Sequence, residues 1–183
     1  MHMAHKTRPW TIEDLDRLPD DGNKYEVVRG ELFVTPAPVP RHELLVEALS
    51  SILFPYVASH KLGTVARPRA VFRFEGSEVE PDLYVRPPGP WEAWEQMPKP
   101  TLIVEILSRT TRRRDFGPKL LLYRDAGVPD YWIVDGAARA ITVVRPTVED
   151  VLETRELRWH PPGAPVPLVI DVEAFFSAAL GPG

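Results

Sequence analysis

Between Val79 and Lys119 this chain carries two carboxylates and a lysine at spacings that could do chemistry. The run V-E-P-D-L-Y-V holds Asp82, and T-L-I-V-E-I-L-S holds Glu105. If each run is a strand, period-two alternation puts Leu83 and Val85 on one face and Asp82 with Tyr84 on the other. Glu105 is the only polar side chain between Leu102 and Leu107. So continuous an apolar segment is the pattern of a strand covered on both faces. A carboxylate there costs on the order of 2–7 kcal/mol if counted as merely polar, and more as a charge, unless a cation or hydrogen bonds meet it. A metal ion would meet it.

The third member is Lys119, fourteen residues after Glu105. Asp115 is expected to cap a helix whose first turn tolerates Pro118, because those backbone N–H groups have no intrahelical partner. That helix should end at Gly127. Phe116 precedes Lys119 by three residues, and Leu122 and Tyr123 follow it by three and four. The lysine therefore flanks the apolar stripe and points inward. Two carboxylates on adjacent strands with an inward lysine on the next helix suit metal-assisted attack by water on a phosphodiester. The carboxylates would hold a divalent ion, and the ammonium would orient the nucleophile or neutralise developing charge.

Pro81-Asp82 followed twenty-three residues later by a strand-borne Glu105 resembles the PD-(D/E)XK nuclease superfamily, the restriction-endonuclease-like fold. The X-K of that motif would put lysine at 107, where this chain has Leu107. The resemblance thus narrows to a branch whose lysine has moved to the following helix, the Uma family (Uma-two) of endonucleases. It is carried by K-Y-E-V-V-R-G-E-L at 24–32, P-A-P-V-P-R-H at 36–42, E-P-D at 80–82 and V-E-I-L-S at 104–108. R-R-D-F-G-P-K-L-L-L-Y at 113–123 and G-V-P-D-Y-W-I-V-D at 127–135 complete the set. Residues 10–145 are covered. The resemblance implies an α/β (α+β) restriction-endonuclease-like core of order αβββαβ, a mixed central sheet flanked by helices, with an N-terminal β-hairpin. It also implies Asp82, Glu105 and Lys119 as the catalytic set. Asp82 and Glu105, with the backbone carbonyl of Ile106, are expected to bind Mg²⁺ or Mn²⁺ in octahedral geometry with several waters. Lys119→Ala, which removes no ligand, is expected to leave fold and metal affinity almost intact while abolishing most cleavage.

Accessory candidates follow. Glu26 shares a strand face with Val28 and is the best placed of the acids; Glu43 and Glu47 lie outside the apolar stripe of their helix and read as solvated. His42 opens that helix, where the resembled family also tends to carry histidine; a helix-start hydrogen bond is the plainer reading. A net charge of −4 counts against constitutive nucleic-acid binding. Arg109, Arg112, Arg113 and Arg114 nevertheless cluster beside the metal-site candidates. Arg112, Arg113 and Arg114 are candidate phosphate-binding residues, against the alternative of a solvated connector. Trp91 and Trp94 could stack on nucleobases, but packing or a dimer contact fits aromatic residues in such a loop better.

The elements that must position these residues can be read in order. Thr11 with Asp14 makes a capping box for a helix ending near Leu18. Residues 24–35 form a hairpin turning at Arg29-Gly30. From Arg41 the positions Leu44, Leu45, Ala48, Leu49, Ile52, Leu53 and Tyr56 keep helical period, and Pro55 bends or ends that helix. Strands are expected at 64–74, 79–86 and 101–107. The Lys119 helix follows, then two strands joined at Asp135-Gly136, a strand near 153–159 and a closing helix from Asp171 to Leu180.

With 183 residues the chain is expected to be one domain over 10–183 behind a flexible stretch at 1–9. No apolar run approaches the ~18 residues of a membrane span, and the N-terminus lacks a signal-peptide core, so the expected location is cytoplasmic. Zero cysteines exclude disulfides and Cys-ligated metals. Twenty-one prolines favour a rigid chain. A homodimer acting on nucleic acid, most simply DNA, is expected, because pairing supplies a second site and a larger footprint. Two alternatives stand beside the endonuclease: a nuclease-fold binding module with weak or no cutting, and a structural protein in which Asp82 and Lys119 form a buried ion pair.

Overall fold

The computed structural model describes residues 8–89, 93, 96–108 and 110–183. Trp91, Trp94 and Arg109, and the stacking, dimer and phosphate roles weighed for them, lie outside the described residues. Of the stretch expected to be flexible, residues 1–7 lie outside as well. Arg8 is tied to both carboxylate oxygens of Asp14, at 3.1 and 3.0 Å.

Asp14 also accepts the Thr11 N–H at 3.0 Å and so opens α1 (Ile12–Leu15). The hairpin β1 (Lys24–Val28) and β2 (Glu31–Thr35) turns at Arg29-Gly30, both at positive φ, 51° and 83°. Such a two-residue turn matches the twist of the strands it joins. Helix α2 (Pro40–Ser59) continues past Pro55 and is not ended by it. Pro55 faces solvent, so water can serve the carbonyl that it deprives of a partner. Leu44, counted in the buried stripe, is instead exposed; the stripe is Leu45, Val46, Leu49, Leu53 and Val57.

Two expected strands are each broken. The stretch 64–74 divides into β3 (Thr64–Ala66) and β4 (Phe72–Phe74), and 79–86 divides into β5 (Ser77–Val79) and β6 (Leu83–Arg86). Strand β4 pairs with β5, which pairs with β1, whereas β3 pairs with β6. The chain thus leaves one sheet at Arg67 and returns at Asp82. Asp82 therefore stands in the Glu80-Pro81-Asp82 crossing and not on a strand. Pro81, which has no N–H, suits a place without a ladder.

The central sheet has the order β10-β9-β8-β7-β6-β3. It comprises β7 (Leu102–Ile106), β8 (Asp130–Asp135), β9 (Ala140–Val144) and β10 (Val151–Glu153) besides β3 and β6. Only β7 and β8 run parallel, which makes the sheet mixed. They are joined by the short α3 (Arg112–Asp115) and by α4 (Pro118–Asp125). The strand expected near 153–159 also divides. Its first part is β10, and β11 (Glu156–Trp159) pairs with β12 (Leu168–Asp171) in a separate ribbon ahead of α5 (Val172–Leu180).

Both faces of the central sheet are covered. Leu83, Val85, Val104, Ile106, Trp132 and Val134 pack under α2, α5 and the β11–β12 ribbon. Tyr84, Ile103, Tyr131 and Ile133 pack against α4 and the four-stranded sheet β2-β1-β5-β4. Glu105 alternates with Val104 and Ile106, so its side chain belongs to the second face, toward α4 and β1.

Candidate active site

Four elements meet at Glu105. Its Oε1 accepts the Lys119 Nζ of α4 at 2.6 Å and the Tyr123 hydroxyl, one turn further along the same helix, at 2.9 Å. Lys119 Nζ is also 2.7 Å from Oε1 of Glu26 on β1. Glu26 in turn accepts the N–H of Glu80 at 2.8 Å and pairs with Arg114 of α3 at 3.1 Å. Lys119 and Glu26 are 0% exposed, Glu105 1% and Asp82 5%.

Asp82 anchors the other half. Its Oδ2 accepts the backbone N–H of Ile106 at 2.8 Å and faces His42 Nε2 at 3.0 Å, while Oδ1 lies 3.4 Å from Lys24 Nζ. Lys24 also donates to the Glu80 carbonyl at 2.8 Å. Sequence reasoning passed over Lys24, although the alternation that selected Glu26 places Lys24 on the same face two residues earlier. An ion pair between Asp82 and Lys119, the basis of the purely structural alternative, does not form: Lys119 goes to Glu105 and Glu26, and Asp82 to Lys24 and His42.

Helix α4 is capped at Gly117 and not at Asp115, which closes α3 and is buried. Asp115 is drawn in by Arg114, and its carbonyl accepts the Tyr131 hydroxyl at 3.1 Å. Thr111 and Ser108 bond reciprocally, each backbone N–H to the other's hydroxyl at 3.1 Å, and fix the turn between Glu105 and α3. Arg112, Arg113 and Arg114 do not act as one group. Arg112 reaches Asp135 at 2.6 Å, Arg114 is buried on Glu26 and Thr35, and only Arg113 is left exposed at a cavity wall, beside Thr110 and Pro118. Glu43 and Glu47 are exposed, as their positions on α2 predict.

Burial by itself would raise every acid here, and neighbouring charge decides which acids resist. Lys24, His42 and the Ile106 N–H overcome burial at Asp82 and hold its carboxyl below the ordinary carboxylate range. Burial is likewise overcome at Glu26, by Lys119, Lys24 and Arg114. At Glu105 burial prevails over Lys119, the charge of Asp82 adds to it, and the carboxyl is pushed up to about 7. Burial would lower His42, but the Asp82 carboxylate raises it. The site thus holds two ionised acids, Asp82 and Glu26, beside one, Glu105, poised near neutrality.

Asp82, Glu105 and Ile106 line a single cavity of about 670 Å³, together with Lys24, His42 and Arg114. Among the described residues no group of three or more His, Asp or Glu forms a ready ligand cluster. Mg²⁺ commonly takes one or two carboxylates and completes its shell with water and substrate oxygens. A donor set of two carboxylates that repel each other beside one cavity fits such an ion.

Comparison with known proteins agrees with this architecture. No curated protein matches the sequence. A crystal structure described as that of a "putative nuclease belonging to DUF820" from Anabaena variabilis superposes with a TM-score of 0.77. It is 20% identical, and the match covers 94% of this chain and 100% of that one. The likeness establishes the fold. The sequence profile described as Uma2, "Putative restriction endonuclease", matches residues 12–173, nearly the whole chain. A nuclease-like fold, a mixed sheet with helices on its faces and a profile match of this extent lead to one assignment: the chain belongs to the Uma2 family.

Proposed function

We propose that this protein is a Mg²⁺- or Mn²⁺-dependent endonuclease that hydrolyses phosphodiester bonds of DNA and works as a homodimer. The observation that carries this reading is that Asp82 and Glu105 line one cavity while Lys119, buried behind it on a third element, bonds Glu105 at 2.6 Å. Asp82 and Glu105, with the Ile106 carbonyl, would hold the ion, which when bound polarises a phosphoryl oxygen and eases deprotonation of water. Lys119 sets a fixed positive charge at the reacting centre, where it offsets charge gathering on the phosphate. Glu26 and Tyr123 act through other groups, Glu26 by steering the ammonium and Tyr123 by fixing Glu105 Oε1. His42 and Lys24 orient Asp82.

The test is Mn²⁺-supported cleavage of supercoiled, linear duplex and single-stranded DNA by wild type and Lys119→Met side by side. Cutting by wild type that is lost in the variant supports the reading. Equal cutting by both would remove Lys119 from the mechanism. DNA binding without cutting by either would favour the binding-module alternative.

A further inference from the structure

Most cations at the cavity are already engaged. Lys24 is held by Asp82 and the Glu80 carbonyl, and Arg114 by Glu26 and Thr35. Arg112, outside the cavity lining, is committed to Asp135 and lies over the Phe116 ring at 5.2 Å. Arg67 and Arg69 differ. Both line the cavity, both are exposed, and neither side chain has a hydrogen bond or ion pair among the described residues.

Their loop is fixed where it matters. The Ala70 N–H closes a turn on the Arg67 carbonyl at 2.9 Å, and the Tyr84 hydroxyl of β6 holds the Val71 carbonyl at 3.2 Å. The loop is the outward crossing from β3 to β4, and the return crossing carries Asp82. Two guanidinium groups and the reactive carboxylates therefore share one cavity. Glu80, the nearby wall acid, feels Arg69 only as a distant charge and forms no ion pair with it. Unpaired guanidinium groups side by side repel, and a planar guanidinium fork binds phosphate or carboxylate oxygens two at a time. Pro36, Pro38 and Val39 also line the cavity and offer apolar surface for a sugar or base.

We infer that Arg67 and Arg69 grip the backbone phosphates beside the scissile one, an inference that rests on the nuclease reading above. They take the substrate-holding role for which Arg112, Arg113 and Arg114 are the candidates in the sequence. They are positioning residues, so their loss acts on binding and leaves the chemical step in place.

The experiment compares full-length wild type with Arg67→Gln/Arg69→Gln in Mn²⁺-supported cleavage, and by anisotropy with a labelled oligonucleotide across a salt series. A charge-matched control, Arg17→Gln/Arg158→Gln, lies outside the cavity. The cavity variant should raise KM and Kd at least about tenfold with kcat within about twofold. The slope of log Kd against log salt should fall by roughly 1.5, as expected for two lost phosphate contacts. The control should change little, and Arg67→Lys/Arg69→Lys should keep most of the slope. Unchanged KM, Kd and slope in a cavity variant whose wild type cuts DNA would overturn this inference alone. Wild type that neither binds nor cuts DNA would overturn the nuclease reading and this inference with it.

Discussion

Lys119 is a buried ammonium shared by two carboxylates, so its removal touches stability as well as chemistry. The sequence suggests a lysine whose loss the fold would scarcely notice. Glu26 at 2.7 Å, a second partner as buried as the first, argues against that expectation. Breaking a buried pair from one side costs about 3–5 kcal/mol, because the remaining charge is stranded. Urea unfolding should find Lys119→Met less stable by that order, and Glu26→Gln added to it should restore part of the loss. Glu105 sets a second expectation. Its folded carboxyl titrates near 7 against an ordinary 4.5, so between those values the folded state holds a proton that the unfolded chain has released. Stability from this group is complete below about pH 4.5 and is lost as pH rises through 7. Melting of the metal-free protein from pH 5 to pH 8 should therefore fall more steeply for wild type than for Glu105→Gln, whose amide does not ionise. Equal slopes would contradict the assignment.

The elements around the site differ in how openly the sequence declares them. The hairpin, α2, β7, β8 and the inward turn of Lys119 were legible because each rests on a local period or a local turn. Glu26 was found by the same alternation. Lys24 was not, because a lysine at the first residue of a strand reads as a solvated end. The broken strands were hidden for a different reason. Residues 64–74 and 79–86 read as continuous β pattern, and their division is decided by distant partners: β4 finds β5, and β6 finds β3 and β7. The α3–α4 corner was misread because Asp115 looked like a cap, whereas Gly117 is the cap and sits close beneath the preceding turn. A Cβ on Gly117 would lie 2.6 Å from the Arg113 carbonyl oxygen. Gly117→Ala should thus push α4 and Lys119 with it, costing about 1–3 kcal/mol by overpacking. Thermal melting measures the cost, and a larger loss in kcat than in KM would mark the displaced ammonium.

At the scale of the whole molecule the site is the seam between two bodies of structure. One is the central sheet with α2 and α5; the other is the four-stranded sheet with α4. Against the net charge of −4, Lys24, Arg67, Arg69 and Arg114 place positive charge at the cavity in this seam. No helix among the described residues is long and apolar enough to cross a membrane. Assembly has a candidate surface in β10, which edges the central sheet with Leu152 63% exposed. An unpaired edge carrying an apolar side chain invites a second strand. Light scattering at micromolar concentration should give a dimer mass for wild type and a monomer mass for Leu152→Lys; a monomeric wild type would contradict the pairing.

The hydrogen bond from the Ile106 N–H to Asp82 ties the end of β7 to the crossing that leads into β6. In spectroscopic terms the chain carries its own probe. That amide proton sits against a carboxylate of the site, so its resonance in a nitrogen–proton correlation spectrum reads the state of Asp82 directly. Added Mg²⁺ should displace the Ile106 cross-peak while that of Val104, two residues back on the same strand, stays in place. Asp82→Asn should shift the Ile106 peak without metal and abolish its response to metal. A fixed Ile106 peak in saturating Mg²⁺ would place the ion elsewhere, and a moving one would follow occupancy of the site without any substrate present.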